Sequence, residues 1–197
     1  MSIKTSIKEH FTSNQFRGHF ENSSLKNHWG YFFQNKQENN ISKELKLGSD
    51  LDFRRFSWED LDECAELFKN VFSADPWYDE WVSLDQSRDY LGELVTNPVF
   101  EGFVVREDSE ILAVCLGHRR SWWMGKEFFV DEFFVENVRQ GNGIGTKMMD
   151  FVTNSLAAHG YNRLILLTNK EIPAESFYLK NGFYNNYQRT VMVKKLQ

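Results

Sequence analysis

The chain of 197 residues is poor in cysteine and in proline, with two of the first and three of the second. So few cysteines exclude a disulfide scaffold and a Cys-rich zinc module. Cys64 and Cys115 both lie in apolar patterns, which reads as buried free thiols in a reducing compartment and hence a cytoplasmic protein. No stretch approaches the roughly 18 apolar residues of a membrane-spanning helix. The first residues, Met1-Ser2-Ile3-Lys4-Thr5, contain no continuous apolar segment of the kind a signal peptide needs. An excess of positive charge is missing too. The net charge is −5, which disfavours a general nucleic-acid binder. Neither a nucleic acid nor a membrane is therefore expected as a partner.

Aromatic residues, by contrast, are plentiful. They make up 16% of the chain, with 18 Phe and 6 Trp, and hydrophobic residues reach 41%. That is ample for the core of one domain of ordinary size. The excess length sits at the N-terminus. Residues 1–50 are rich in Asn, Ser, Lys and Gln and carry a net charge of +2, whereas residues 51–197 carry −7. Aromatic residues such as Phe11, Phe16, Phe20 and Trp29 run through this polar segment. It reads as an extension that docks on the domain or on a second subunit, which would make a homodimer. His10, His19 and His28 recur there every nine residues. Nine is not a period that gathers side chains on one face, and no cysteine lies nearby, so no metal is expected.

The three prolines punctuate the domain from residue 51 onward. Leu51 to Phe56 reads as a first strand, and Ser57 with Asp60 as a capping pair that opens a helix through Phe72. Asp75-Pro76 ends that helix, and an aromatic and acidic loop, Trp77 to Trp81, follows. A second helix from Leu84 to Val95 stops before Asn97-Pro98. Val99 to Arg106 and Ile111 to His118 read as a hairpin. Trp122 to Gly125 lead across to a third strand over Phe128 to Val135. Arg163 to Thr168 is a nearly continuous apolar strand, read as buried on both faces. Pro173 opens a short helix that Asn181-Gly182 closes, and Gln188 to Lys195 reads as a last strand.

Between the third strand and the apolar strand lies the stretch that carries chemistry. Arg139-Gln140-Gly141-Asn142-Gly143-Ile144-Gly145-Thr146 holds three glycines in five positions. A helix begins within it, because Ile144, Met148, Val152 and Leu156 recur every four residues. A glycine-rich turn feeding a helix N-terminus offers unpaired amides and the positive end of the helix dipole to an anion. A dinucleotide fingerprint needs a third glycine where Thr146 stands, and a P-loop string is absent. The remaining pattern is Gln140, Gly143 and Gly145, in the order Gln/Arg-x-x-Gly-x-Gly.

That pattern resembles the acyl-CoA loop of the GNAT superfamily of N-acetyltransferases. Two further strings agree in order and spacing: Phe133-Phe134-Val135 ending a strand, and Phe177-Tyr178 followed by Gly182-Phe183. The resemblance covers residues 51–197 and implies an α/β (α+β) fold. A central twisted sheet of about six to seven strands would be flanked by helices, with two parallel strands splayed at the CoA site. It also implies acetyl-CoA as donor and a primary amine as acceptor, joined by direct attack in a ternary complex. Phe133 and Val135 would offer backbone hydrogen bonds to the pantetheine arm or acetyl group, alongside Phe134. The amides of Gly141, Asn142, Gly143, Ile144, Gly145 and Thr146 would hold the pyrophosphate. Gln140 stands where the family more often has Arg, with Arg139 supplying the charge. Asn169 would stand in for an asparagine that the family places where this chain has Glu171.

In the same family a tyrosine matching Tyr178 protonates the departing thiolate. The base would be Asp131, favoured slightly, or Glu132, placed by strand alternation on opposite faces; a water chain serves equally well. Trp77, Tyr78 and Trp81 fall in a loop and are candidates for the acceptor pocket, with Asp75, Asp79 and Glu80 beside them. A domain carrying −7 attracts a small cationic amine. The other reading of the same strings is a binding module that senses acyl-CoA without turnover.

Overall fold

The computed structural model describes residues 51–196. Five strands form one sheet in the order β1-β2-β3-β4-β5: β1 (Asp52–Arg55), β2 (Phe100–Glu107), β3 (Glu110–Trp122), β4 (Gly125–Val135) and β5 (Tyr161–Leu166). Neighbours are antiparallel except β4 and β5, which run parallel. Four helices surround the sheet: α1 (Leu61–Phe72), α2 (Leu84–Val95), α3 (Ile144–Ala158) and α4 (Pro173–Lys180). Helix α3 provides the crossover between β4 and β5 that a parallel pair requires.

Local chemistry accounts for these elements. A buried Asp60 accepts from the Ser57 amide at 2.8 Å and from both ends of the Arg54 guanidinium at 2.7 Å, which ties the start of α1 to β1. Ser83 caps α2 by accepting from the Gln86 amide at 3.1 Å. Leu61, Cys64, Phe68 and Val71 of α1 and Leu91 of α2 bury themselves against Val104, Val114, Leu116 and Phe134 of the sheet. Phe151 of α3 meets Phe103, which in turn meets Phe128 edge-on. Cys64 and Cys115 are both buried free thiols, as their patterns predict. Among the described residues no helix is long and apolar enough to cross a membrane.

The structure departs from the sequence reading at the C-terminus and in β4. The expected strand over Gln188 to Lys195 does not form, so the described sheet has five strands rather than six or seven. Alternating apolar residues make a strand only where a neighbour accepts the backbone hydrogen bonds, and this segment pairs with no strand. Strand β5 is consequently an edge, and Leu164, Ile165 and Leu166 are half-buried rather than enclosed on both faces.

The second departure is a β-bulge. Strand β4 pairs Glu132 with Leu116 but Val130 with Gly117, so Asp131 is an extra residue with no partner on β3. Gly117 permits this, since a Cβ there would lie 2.2 Å from the Phe129 carbonyl oxygen. The bulge reverses the alternation. Asp131 meets His118, on the same face of β3 as Leu116, and Glu132 meets Tyr90 of α2. The two carboxylates thus share the face covered by α1 and α2, instead of lying on opposite faces. Beyond Val130, β4 also parts from β5, and residues 131–135 have no strand beside them on that side.

Candidate active site

Two walls meet at the end of β4. The first is built from backbone. Gly143 is the N-cap of α3 with φ +81°, and Gly141 has φ +75°, conformations that glycine adopts without penalty. No side chain caps this end of α3. The first-turn amides of Ile144, Gly145 and Thr146 therefore point out of the helix together, next to those of Gly141, Asn142 and Gly143. Ile144 is buried and pins the turn to the core, while Asn142 and Thr146 are exposed. A Cβ on Gly145 would lie 3.2 Å from the Phe177 ring and 3.5 Å from Val135, so glycine lets α3, α4 and β4 converge. Gln140 ties the loop to the strand: its Nε2 donates to the Val135 carbonyl at 3.0 Å and to Asn137 Oδ1 at 3.1 Å. Arg139 turns to Glu107, at 2.5 Å, so its charge is already matched within the protein.

Next to this turn runs the open edge of β4. The Glu136 amide donates inward to Leu112 of β3, so the amide and carbonyl of Val135, and by alternation those of Phe133, face away from β3. Phe134 is buried against Phe68 and Phe72, and by the same alternation its amide and carbonyl face β3. The Phe133 ring stacks on Phe177 at 5.4 Å and meets Tyr178 edge-on at 6.2 Å. Tyr178 is further packed by Phe183 at 5.4 Å. Burial pushes the Tyr178 phenol above its ordinary value, with Cys115 and Glu132 adding to the effect. Its hydroxyl hydrogen bonds to no described residue. Asn169 is exposed in the loop between β5 and α4.

The second wall is made of side chains. His118 Nδ1 lies 2.7 Å from Asp131 Oδ2, and the His118 ring stacks on Phe129 at 5.4 Å with 22° between planes. The Tyr90 hydroxyl donates to Glu132 Oε1 at 2.5 Å. Burial pushes the Glu132 carboxyl up to about 8; the hydrogen bond from Tyr90 opposes this, and Asp131 and Asp79 reinforce it. Tyr90 is itself raised, chiefly by burial and then by the Glu132 charge. Of the three loop aromatics, Trp81 packs on Phe68 at 4.8 Å and on Tyr90 at 5.3 Å, and Trp77 packs on Phe72 at 5.5 Å. Tyr78 is exposed, with φ +49°, and its hydroxyl donates to Asp75 at 3.0 Å. Trp81 thus buttresses the tyrosine that holds Glu132.

His118 and Tyr90 are absent from the residues singled out by sequence. His118 ends an apolar run that already contains Gly117, and a polar ring on the face of Leu116 was the available signal. Tyr90 lies in a helix whose apolar positions mark it as packing. The trio of histidines in residues 1–50, and any role of that segment in a dimer, lie outside the described residues.

A mixed sheet with one parallel pair splayed beside an uncapped helix N-terminus defines an acyltransferase type of fold. The chain matches the Acetyltransferase (GNAT) family over residues 58–183 and belongs to that family. No curated protein matches it by sequence. Among solved structures, an aminoglycoside acetyltransferase from an uncultured soil metagenomic sample, in complex with sisomicin, shares 17% identity with a TM-score of 0.59, over 75% of this chain and 97% of the other. Aminoglycoside N-acetyltransferase AAC(6')-Iy, in complex with CoA, shares 16% identity with a TM-score of 0.60, over 76% and 97%. A ribosomal-protein-alanine N-acetyltransferase from Brucella melitensis biovar Abortus 2308 shares 17% identity with a TM-score of 0.58, over 75% and 99%. At these identities the likeness is one of fold. The acceptors named for these relatives differ, so the fold alone leaves the acceptor open.

Proposed function

We propose that this protein transfers the acetyl group of acetyl-CoA to a primary amine on a small cationic molecule. The observation that carries the reading is the open edge of β4, bounded by an uncapped helix N-terminus at one end and by two carboxylates on the α1–α2 face. The pantetheine arm pairs with the backbone of Phe133 and Val135 as an added strand would, with Phe134 fixing the strand from below. The pyrophosphate takes the amides of Gly141 to Thr146. Gln140 shapes that loop, and Asn169 lies on the opposite strand's connection. Trp77, Tyr78 and Trp81 border the acceptor side, with Trp81 supporting it from within.

In the reaction the uncharged amine attacks the thioester carbon, a C–N bond forms and the C–S bond breaks. The acceptor's ammonium first loses a proton to the acidic wall of Asp131 and Glu132. Tyr178 delivers a proton to the sulfur as it departs and recovers the one that the nitrogen sheds as the amide forms; a phenol holds its proton more tightly than a thiol, so the transfer is driven by this exchange rather than by acidity alone. No cysteine serves as a covalent carrier, since burial raises both thiols well above their ordinary value. The acidic domain draws a cation toward the cleft, which favours aminoglycosides and polyamines. Two of the relatives above are named for aminoglycosides.

Thiol release from acetyl-CoA, followed across neamine, sisomicin, spermidine and an N-terminal alanine peptide, tests this. Release with the cationic amines is expected. Tight CoA binding by calorimetry with no release for any amine would replace the enzyme by an acyl-CoA sensor.

A further inference from the structure

Asp131 and Glu132 are neighbours in sequence but are held by partners of different kinds. Glu132 is enclosed: Tyr90 donates to Oε1, burial favours its neutral form, and only 8% of the residue is exposed. Asp131 keeps 21% of its side chain accessible, and His118 keeps 31%. The His118 ring cannot turn freely, because it stacks on Phe129. A ring fixed in this way grips Oδ2 alone and leaves Oδ1 of Asp131 to meet a ligand. The bulge gathers both carboxylates: Asp131 follows the alternation of Phe129, which stacks on His118, and the extra residue brings Glu132 to the same face.

We propose that His118 is a positioning residue that divides the work between the two carboxylates: it fixes Asp131 as the anion that docks the acceptor's ammonium, and so leaves Glu132 to take the proton. This rests on the transfer reading above. Beyond Asp131, the groups of the wall are Glu132 on β4, Tyr90 on α2 and Asp79 in the loop between α1 and α2. Counted with Asp131, three of the four are carboxyls, so the wall is acidic, and the imidazole serves to orient Asp131 within it. Gly117-His118 acts as one device, in which glycine admits the bulge that brings Glu132 to this face and histidine holds Asp131 beside it.

Two measurements test this. The first is steady-state kinetics with neamine at saturating acetyl-CoA. His118→Ala and Asp131→Asn should each raise the KM for neamine about tenfold or more, the scale of one charge-assisted contact, with kcat within about threefold. The double variant should be no worse than the singles, since one contact is lost in each case. His118→Gln, whose amide can donate to Asp131, should recover most of the loss. Glu132→Gln should show the opposite split, with kcat lost and KM kept. An unchanged KM for acetyl-CoA and a single cooperative unfolding transition in each variant exclude misfolding. A loss of kcat in His118→Ala matching that of Glu132→Gln would make His118 the base and overturn the proposal, as would an unchanged neamine KM.

The second measurement is calorimetric binding of neamine to the CoA-loaded protein, which needs no turnover. Equal weakening by His118→Ala and Asp131→Asn supports the positioning role, and equal binding by wild type and both variants overturns it. An absence of thiol release by the wild type would sink the transfer reading instead, and this second readout would still decide the role of His118.

Discussion

The two walls of the cleft are built from different materials. The donor wall is backbone: amides at the start of α3 and the free edge of β4, shaped by glycines that keep side chains out. The acceptor wall is side chain: His118, Asp131, Glu132, Tyr90 and Trp81, drawn from β3, β4, α2 and a loop. In the proposed reading a backbone wall recognises what every acyl-CoA has in common. A side-chain wall can be rewritten one residue at a time, which fits a fold whose relatives are named for aminoglycosides and for a ribosomal protein alike.

If the walls are separate, damage to each should appear in a different kinetic constant. The largest effect is expected for Glu132→Gln, a loss of roughly 10²–10⁴ in kcat, the usual contribution of a positioned base. The wild-type kcat/KM should rise with pH through about 8, where the free Glu132 ionises, and the variant should lack that limb. Tyr178→Phe should cost less, about tenfold in kcat, because a thiolate is already a good leaving group. If it raised acceptor KM instead, Tyr178 would belong to the other wall. Trp81→Ala should destabilise by about 2–3 kcal/mol in urea titration, by removing a ring from Phe68 and Tyr90. Gln140→Ala, losing its bond to the Val135 carbonyl, should cost about 1 kcal/mol and raise only the KM for acetyl-CoA. A change in neamine KM there would break the separation.

Glu132 also links stability to pH. Its carboxyl is raised from an ordinary 4.5 to about 8, so the folded protein holds a proton there that the unfolded chain releases. That contribution is complete below about pH 4.5 and is lost as pH rises through about 8. Glu132→Gln removes the loss, and its urea midpoint relative to wild type should climb from pH 5 to pH 9. A constant difference would show that the side chain is solvated in the folded state.

The donor wall was legible in the sequence because its determinants are local. Three glycines and a helix phase fall within a dozen residues, and each constrains the backbone where it stands. Even there the partner of Arg139, Glu107, comes from another strand and does not show in the local pattern. The acceptor wall was legible only in part. The carboxylates are visible, but alternation puts them on opposite faces, and a bulge does not show in alternation. It depends on Gly117 lying beside Phe129 across the ladder, a contact between separate strands. His118 and Tyr90 acquire meaning only through that contact. The last strand fails for a related reason: the pattern from Gln188 to Lys195 reports what a chain could pair, not whether a neighbour is there.

The bulge has one more consequence, best stated as parity. Phe128, Val130, Glu132 and Phe134 all carry even numbers, yet the first pair packs on the α3 layer and the second on the α1–α2 layer. One inserted residue has shifted the phase of the strand halfway along. Substitution at position 131 can change the charge of the cleft but not this phase. Deletion of the residue would leave Val130 and Glu132 as successive partners of Gly117 and Leu116, with the rings of Phe133 and Phe134 in the layers they already occupy. At this position one extra residue adds a second carboxylate to the cleft without moving either ring.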